Sequence, residues 1–328
     1  MASLSRAHAA TSAIAPRRGS GVIVASNSAR SSSSLTTTMT TLSKKPSSRS
    51  TPSTTISSTS SLLRLRTTAN SKPSLRCSAA AKLDVDAWAS SEAALRSAFL
   101  EEQARRVLRR AAEQAQRPAF PCALIAGDIV ILSLLASENL LGKIPVIFID
   151  TFHLFPETHA LLSQLEELYK FKAKVFRPAG FATKDEYVKK HGSDLFLTDI
   201  DEYDRICKVE PFGRSLKELN VDAMINGRRR DHGAERAHLQ LVDAPARPGA
   251  AVNVQPLAWW EFEDCMRFLE DNNVPKHPLF DQGYPSVGDV HSTLPVPKEK
   301  WFEYAGERSG RFVGLTNADG STKTECGE

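Results

Sequence analysis

Short apolar runs and longer amphipathic stretches alternate along the chain from about residue 91 onward. Short runs of mostly apolar residues are typical of buried strands. They predict strands at 120–126, 143–150, 172–177, 221–226 and 252–257. Apolar positions that recur every three or four residues predict helices. These helices are expected at 91–117, 129–137, 156–170, 183–191, 211–219 and 260–272.

Strands that alternate with helices in this way predict crossover connections and a mostly parallel sheet, which is an α/β fold with flanking helices. Ligands of such sheets bind beyond the carboxyl ends of the strands. This rule draws attention to Gly127–Asp128, Asp150–Thr151 and the segment Gly227–Arg236. From residue 275 the pattern fades into a segment rich in Pro and Gly, which we expect to be irregular and partly mobile.

Charge divides the chain into two parts. Of the 328 residues, the first 83 contain 12 Lys or Arg, 34 Ser or Thr and no Asp or Glu. Residues 84–328, called the body from here on, hold 30 Lys and Arg against 38 Asp and Glu, which gives a net charge of −8. The whole chain carries +4. An acidic body argues against nucleic-acid binding, which needs a basic face on the folded part. This body is long enough to form one domain with a sizeable core.

Residues 1–77 have the composition of an organelle transit peptide, since they contain Ser and Arg but no acidic residue. The stretch 31–61 cannot bury enough apolar surface to offset its ordering entropy, so we expect disorder, and an ordinary disordered tail is the alternative reading. The segment 74–80 resembles a plastid processing site with cleavage near Cys77. We therefore expect a mature protein that starts near residue 78 in the plastid stroma. A membrane-spanning helix is not expected, because no apolar run reaches about 18 residues.

The body contains Cys122, Cys207, Cys265 and Cys326, and their spacing predicts neither a disulfide framework nor a zinc site. Cys122 and Cys265 lie in apolar runs and are expected to be core residues. Cys326 lies two residues from the carboxyl terminus, where an exposed thiol needs a reason. A thiolate nucleophile stabilised by cationic neighbours is one reason, and a spectator cysteine is the alternative.

The densest charge cluster follows a predicted strand, at Gly227–Arg236, and includes four arginines. Guanidinium groups match phosphate and sulfate oxygens, and each charge-assisted bond contributes roughly 1.5–3 kcal/mol. A solvated charge run is the alternative. Lys208 precedes a helix, and His277 lies in a polar loop, where a lone histidine is more often structural than catalytic. Arg308 and Arg311 are three residues apart and could reach the same anion.

Five segments between about Ala119 and Cys326 resemble, in order, motifs of the phosphoadenylyl-sulfate/adenylyl-sulfate reductase family. They are Ile149–Thr158, Lys208–Pro211, Gly227–Arg236, His277–Leu279 with Gly283–Gly288, and Glu325–Gly327. The resemblance implies an adenine-nucleotide α-hydrolase-like (Rossmann-like) fold. It implies one reductase domain at 78–328, made of a helical lead-in (90–117), a nucleotide-binding α/β core (118–274) and a C-terminal loop with a catalytic tail (275–328).

The resemblance also implies a two-step reaction. Cys326 attacks the sulfur of a sulfonucleotide, AMP or its 3′-phosphorylated form leaves, and thioredoxin releases sulfite from the S-sulfocysteine. Cationic side chains fit this chemistry, because they offset the repulsion between a thiolate and an anionic sulfo group. The site residues implied are Gly127, Asp128, Asp150, Thr151, Lys208, Gly227, Arg229, Arg230, Arg236, His277, Arg308 and Arg311.

The sequence departs from the family pattern at four places. Cluster-containing members carry Cys-Cys and Cys-x-x-Cys where this chain has Tyr203-Asp204 and Asp289–Ser292, so we expect no iron–sulfur cluster and no metal. The usual Ser-x-Gly/Phe-Gly phosphate loop reads Leu124–Asp128. The tail lacks the usual Leu-His after Cys326-Gly327. No thioredoxin-like domain follows, so we expect a separate thioredoxin to donate the electrons.

Two features indicate different substrates. Absence of the cluster usually accompanies the 3′-phosphorylated substrate, whereas plant plastids reduce adenylyl sulfate. The cluster-free plastid reductases of mosses combine both features, and the chain resembles them most. We therefore expect reduction of adenylyl sulfate, with phosphoadenylyl sulfate as a further substrate, no nucleic-acid or membrane partner, and a homodimer left open. The alternatives are a reductase specific for phosphoadenylyl sulfate and a non-catalytic nucleotide-binding redox sensor.

Overall fold

The structure is a computed structural model that describes residues 83–245, 247, 249–317 and 319–323. All of these residues fall within one unit of the chain, Cys77–Glu328. The predicted transit peptide and Cys326 lie outside the described residues, so the expectations for them stay predictions.

A six-stranded sheet forms the centre of the described fold. Its strands are β1 (Pro118–Pro121), β2 (Val146–Ile149), β3 (Lys174–Phe176), β4 (Ala223–Ile225), β5 (Val242–Asp243) and β6 (Val252–Val254). Their order is β3-β2-β1-β4-β6-β5, with parallel pairing except between β5 and β6. The predicted mostly parallel α/β fold is confirmed. Strand β5 was missed, because two residues are too few to show a period.

The helices flank this sheet. They are α1 (Val85–Gln114), α2 (Ala126–Ser137), α3 (Pro156–Tyr169), α4 (Lys184–His191), α5 (Leu195–Thr198), α6 (Ile200–Asp204), α7 (Glu210–Glu218) and α8 (Phe262–Asp271). Helix α1 begins six residues earlier than predicted, because the Asp84 carboxylate caps it by accepting a hydrogen bond from the Ala87 N–H at 2.9 Å. None of the helices in the described part of the chain is long and apolar enough to cross a membrane.

The first strand is shorter than the apolar run that predicted it. Strand β1 ends at Pro121, and α2 already begins at Ala126, so Gly127 and Asp128 lie in the first turn of a helix and not in a break between elements. Leu124 makes the turn with a left-handed backbone (φ 60°) and is nevertheless fully buried. Hydrophobicity alone could not separate this buried turn from a strand.

The main core lies between the sheet and helices α1, α2 and α8, and α2 is buried along most of its length. Cys122 and Cys265 belong to this core, as predicted. The segment after residue 275 is irregular, as expected, with short 3₁₀ turns. It is not peripheral, however, because Phe280, Val296 and Trp301 pack into the main core. The C-terminal segment is thus held against the body by apolar burial.

Candidate active site at the carboxyl end of the sheet

Two glycines allow the segment after β4 to approach the first turn of α2 closely. A Cβ atom at Gly227 would lie 2.6 Å from Asp128 Oδ1 and 3.2 Å from the Asp128 backbone nitrogen. A Cβ atom at Gly127 would lie 3.1 Å from the Gly227 carbonyl oxygen. A larger residue at Gly227 therefore requires the Asp128 carboxylate to shift and crowds the backbone of the first turn of α2. This contact places the predicted Gly227 segment directly beside the first turn of α2, where free backbone N–H groups favour anions.

Asp128 is buried at this contact. Its Oδ2 atom accepts a hydrogen bond from the Ala123 N–H at 2.7 Å, which fixes the turn between β1 and α2. Burial raises the pKa of Asp128 to about 7, although the hydrogen bond from Ala123 opposes the shift. The carboxyl group thus changes charge near neutral pH, next to the predicted phosphate position.

Arg229 lies beneath the site and not on its surface. Its side chain is 0% exposed, pairs with Asp231 at 2.9 Å and forms a second ion pair with Glu307. Burial alone would raise the pKa of Glu307, but the charge of Arg229 outweighs it and lowers that pKa to about 2. The predicted role of Arg229 in substrate binding stays a prediction, since these contacts give the side chain a structural role of its own. A buried guanidinium must be paired, and this one ties the segment after β4 to the C-terminal segment.

Arg236 is held by two successive hydrogen bonds that lead from Glu307 through His232. Its Nη1 atom lies 2.9 Å from His232 Nδ1, and His232 Nε2 lies 3.1 Å from Glu307 Oε2. Because a guanidinium can only donate, Nδ1 must accept, and Nε2–H donates to the carboxylate. Burial and the charge of Arg229 lower the pKa of His232, which favours this neutral form. Glu307 thereby orients His232, and His232 orients Arg236.

Arg230, Arg308 and Arg311 keep partly exposed side chains. Arg230 donates through Nε to the Leu239 carbonyl oxygen at 2.8 Å, and its guanidinium lies 5.7 Å from the ring centre of Trp259. The Arg311 guanidinium lies against the backbone of Gly288, where a Cβ atom would overlap it. These three side chains thus remain partly accessible to solvent.

Lys208 lies on a π-helical turn, Arg205–Val209, that joins α6 to α7. Its ammonium is 2.8 Å from Asp204 Oδ1 and 2.9 Å from Asp289 Oδ2, and its side chain is 15% exposed. It also lies 5.1 Å from the ring centre of Tyr203 and 5.7 Å from that of Phe312. π-Helical turns often occur at functional sites. This one points a nearly buried lysine toward a pair of carboxylates.

Asp289 gathers the residues around Lys208. Its oxygens accept hydrogen bonds from the hydroxyls of Thr151 at 2.5 Å and Tyr203 at 3.0 Å. Burial alone would raise the pKa of Asp289, but the ammonium of Lys208 outweighs it and holds that pKa well below its usual range. Asp289 is therefore ionised, and it connects the end of β2 to the π-helical turn and to the C-terminal segment.

Asp150 and Thr151 build the edge of the site at the end of β2. The Asp150 carboxylate accepts hydrogen bonds from Arg177 Nε at 2.8 Å and from the Phe152 N–H at 3.0 Å. Both residues are buried. Asp150 thus ties the loop after β2 to the end of β3, while Thr151 ties it to Asp289.

His277 is buried and has structural partners, and its predicted place in the substrate site stays a prediction. Its Nδ1 atom accepts a hydrogen bond from the Leu279 N–H at 3.2 Å and caps a 3₁₀ turn, and its Nε2 atom lies 3.0 Å from Thr158 Oγ1. Burial lowers the pKa of His277 to about 4. A neutral, capped imidazole cannot attract an anion. It anchors the C-terminal segment to α3.

Several residues of this site were missed from the sequence, namely Asp204, His232, Asp289 and Glu307 as partners of the cationic groups, and Lys323 as a second cation beside Asp204. Their pairing joins residues 75 to 119 positions apart in several cases, as for Glu307 with His232 and for Lys323 with Asp204. The sequence held one clue to Asp204 and Asp289, because they occupy positions at which cluster-containing relatives carry cysteines. Among the residues that the structure describes, no group of His, Cys, Asp or Glu is arranged to hold a metal ion.

The comparisons with known sequences agree on one protein family. The sequence model of the phosphoadenosine phosphosulfate reductase domain matches residues 118–295. The chain is 40% identical over 183 residues to a phosphoadenosine phosphosulfate reductase of Emericella nidulans, covering 56% of this chain and 56% of that protein. It is 35% identical over 214 residues to a phosphoadenosine 5′-phosphosulfate reductase of Xanthomonas oryzae pv. oryzae, covering 65% of this chain and 81% of that one. The match with the Emericella protein thus spans about half of that protein's length.

Among solved structures, the fold is similar to that of the phosphoadenylyl-sulfate (PAPS) reductase of Candida auris in a phosphate complex. The two chains share 32% sequence identity with a TM-score of 0.53, and the match covers 58% of this chain and 90% of the Candida chain. The matched family region begins at β1 and ends within the irregular C-terminal segment, so it includes Lys208, Arg236 and Asp289.

Proposed function

The chain belongs to the phosphoadenosine phosphosulfate reductase domain family, and on that basis we propose that it reduces a sulfonucleotide to sulfite with Cys326 as the nucleophile. The observation that carries this proposal is the cationic edge of the sheet. In a body of net charge −8, Arg236 and Arg311 lie on segments that contacts join at the carboxyl ends of the strands, where Lys208 is already paired with Asp204 and Asp289. Guanidinium groups placed in this way match the oxygens of a sulfonucleotide polyanion.

The reaction follows from thiolate chemistry. The Cys326 thiolate attacks the sulfur of the sulfo group, so that an S–S bond forms while the S–O bond to the phosphate breaks and its electron pair leaves with the nucleotide. A dithiol, which we propose is thioredoxin, then attacks the cysteine sulfur of the S-sulfocysteine and expels sulfite. Its second thiol resolves the mixed disulfide, which restores Cys326 and leaves thioredoxin oxidised.

The described residues have distinct parts in this scheme. Lys208 faces the sulfo group and offsets the repulsion between it and the thiolate. Arg236, oriented by His232, holds the nucleotide phosphate beside the first turn of α2. Arg308 and Arg311 complete the anion site from the C-terminal segment.

We further propose that the enzyme works without an iron–sulfur cluster. The positions at which cluster-containing relatives carry cysteines hold Tyr203, Asp204, Asp289 and Ser292. No thiolate is present at these four positions, and the Lys208 ammonium lies within 3 Å of two of their carboxylates. An ammonium in that space leaves no donor set suited to iron and sulfide.

The proposed substrate is adenylyl sulfate in the plastid stroma, with phosphoadenylyl sulfate as a further substrate. Support for the unphosphorylated nucleotide comes from the leader composition of residues 1–77. The fungal and bacterial relatives are named for the 3′-phosphorylated nucleotide, which supports the second substrate.

A sulfite assay tests the function and the substrate together. Purified protein is incubated with each sulfonucleotide, thioredoxin and a reductant, and sulfite is measured over time. We expect sulfite from adenylyl sulfate, a decrease when thioredoxin is omitted, and none from Cys326→Ser. Sulfite production by the Cys326→Ser variant, or its absence with both nucleotides, would overturn the proposal.

A further inference from the structure

A buried side-chain amide lies at the carboxyl end of β4 without a full set of partners. Asn226 directly follows that strand and is 8% exposed, and its backbone N–H still donates to the Val254 carbonyl oxygen at 3.0 Å. Its Nδ2 atom is buried and has no hydrogen-bond partner among the residues that the structure describes. A buried donor without an acceptor is costly, so this atom needs an explanation.

The turn that follows β4 fixes the orientation of this amide. Asn226 Oδ1 accepts a hydrogen bond from the Arg228 N–H at 3.3 Å. If the amide were turned over, its NH₂ group would face the Arg228 N–H and two donors would meet. The oxygen is therefore used to form the turn, as asparagine side chains often do. The NH₂ group is the part that is left to bind another molecule.

Asn226 lies where the topology of the sheet changes direction. The strand that follows β1 along the chain is β2, on one side of it, whereas β4 has β6 on the opposite side, so the switch point falls between the neighbours β1 and β4. Ligands of open α/β sheets bind at such a switch point, in the crevice beyond the carboxyl ends of the strands. The unpartnered donor thus lies where the nucleotide is proposed to bind.

The side chain of Asn226 is on the face of the sheet opposite α2. Side chains alternate along a strand, and Ile225 packs into the main core together with α2. Met224 pairs with Ala119, which packs on the other face in a small apolar cluster with Leu216 of α7. Asn226 follows Met224 by two residues and shares this second face. It therefore lies across the strand ends from the first turn of α2.

We propose that Asn226 is a binding residue for the nucleoside part of the substrate, to which its NH₂ group donates a hydrogen bond. This inference rests on the proposed function, in which the phosphate binds beside the first turn of α2. The nucleoside is then the part of the ligand that extends across the strand ends toward the α7 face. Its ring nitrogens and ribose oxygens are acceptors, and one of them supplies the partner that Nδ2 lacks.

Two probes test this assignment on the full-length protein. The Kd for AMP is measured by calorimetry, and inorganic phosphate is then titrated as a competitor of AMP. Asn226→Leu removes the donor at similar size, and we expect the Kd for AMP to rise about tenfold, because one hydrogen bond to the nucleoside is lost. The inhibition constant of phosphate should stay within about twofold of wild type, because phosphate has no nucleoside part and binds at a separate position.

Asn253→Leu is the matched control. Asn253 pairs with Met224 inside the sheet, so it lies on the same face but one step back from the strand ends. It also has a buried side-chain atom without a partner in the described part of the chain, but this atom is Oδ1, which is an acceptor. We expect this variant to bind AMP like wild type.

Asn226→Asp supplies a second variant if Asn226→Leu folds poorly. It keeps the oxygen that accepts from Arg228 and replaces the donor with an acceptor, so the Kd for AMP should again rise. Folded Asn226 variants that bind AMP as tightly as wild type would overturn the inference alone, and so would an equal rise of both constants in Asn226→Leu. A wild-type protein that binds neither AMP nor adenosine 3′,5′-bisphosphate would overturn the proposed function with it.

Discussion

Single charged residues at this site owe their roles to partners that lie far away in sequence. Arg229 was predicted from its neighbours to bind an anion, yet Glu307 pairs with it from 78 residues away and buries it. His277 likewise meets Thr158 across 119 residues. From the sequence, both residues were predicted to bind substrate, whereas the structure shows the partners that hold them in the fold. The sequence could not decide between these roles, because they depend on burial, and burial depends on the fold.

Asp128 gives a prediction at this scale. Burial raises its pKa from 3.8 to about 7, so the folded state binds a proton that the unfolded state releases above about pH 4. Stability therefore falls as pH rises from about 4 to 7, and the full penalty applies above 7. Asp128→Asn removes the charge. The free energy of unfolding of this variant, minus that of wild type, should therefore be higher at about pH 8 than at pH 5.5, by roughly 2 kcal/mol.

Urea unfolding of both proteins at the two pH values measures this difference. The raised pKa is refuted if the relative stability of Asp128→Asn is the same at both pH values or is greater at the lower one.

Helices, strands and turns position these residues, and the sequence-based prediction was least accurate at the boundaries of these elements. The apolar run after Phe120 predicted a strand to Ala126, but its second half is a buried turn and the start of α2. The π-helical turn that carries Lys208 leaves no periodic signal, since it inserts one extra residue into a short helical stretch. The elements that were predicted nevertheless occur in the predicted order, and only the short elements α5, α6 and β5 were missed, because so few residues show no period.

Gly227 tests whether the contact between β4 and α2 is required. A Cβ atom there would lie 2.6 Å from Asp128 Oδ1, so we expect Gly227→Ala to lower the free energy of unfolding by roughly 1–3 kcal/mol. Gly213 is the control, because it lies inside α7 and a Cβ atom added there would have nothing within 4 Å. Gly213→Ala should raise stability by up to about 1 kcal/mol. Urea unfolding measures both effects. Equal effects of the two substitutions would show that the contact between Gly227 and Asp128 leaves room for a Cβ atom.

At the scale of the whole molecule, net charge is a poor guide to what binds. The chain carries +4, but the basic residues of the leader account for the excess, and the body is acidic. The proposed binding of a sulfonucleotide must then arise from the local placement of cationic side chains, such as that of Arg236 beside the sheet. Composition predicted that the body is acidic and the fold class followed from the alternating pattern, but the pairing of these cations with buried carboxylates required the structure.

The leader gives a prediction of its own. If residues 1–77 are a transit peptide, the native protein should begin near residue 78. N-terminal sequencing of protein isolated from its own cells should find a start close to Ser78. An intact Met1 or Ala2 in the native protein would exclude removal of the leader, and the plastid assignment would lose its support.

The central claim is that Cys326 carries the sulfo group. Wild-type protein mixed with adenylyl sulfate or phosphoadenylyl sulfate in the absence of any reductant should gain one SO₃ group per chain, and peptide mass spectrometry should locate it on Cys326. Cys326→Ser should gain none, and thioredoxin should remove the adduct from wild type with release of sulfite. A wild-type chain that stays unmodified with both nucleotides, or an adduct on any other residue, would contradict the account.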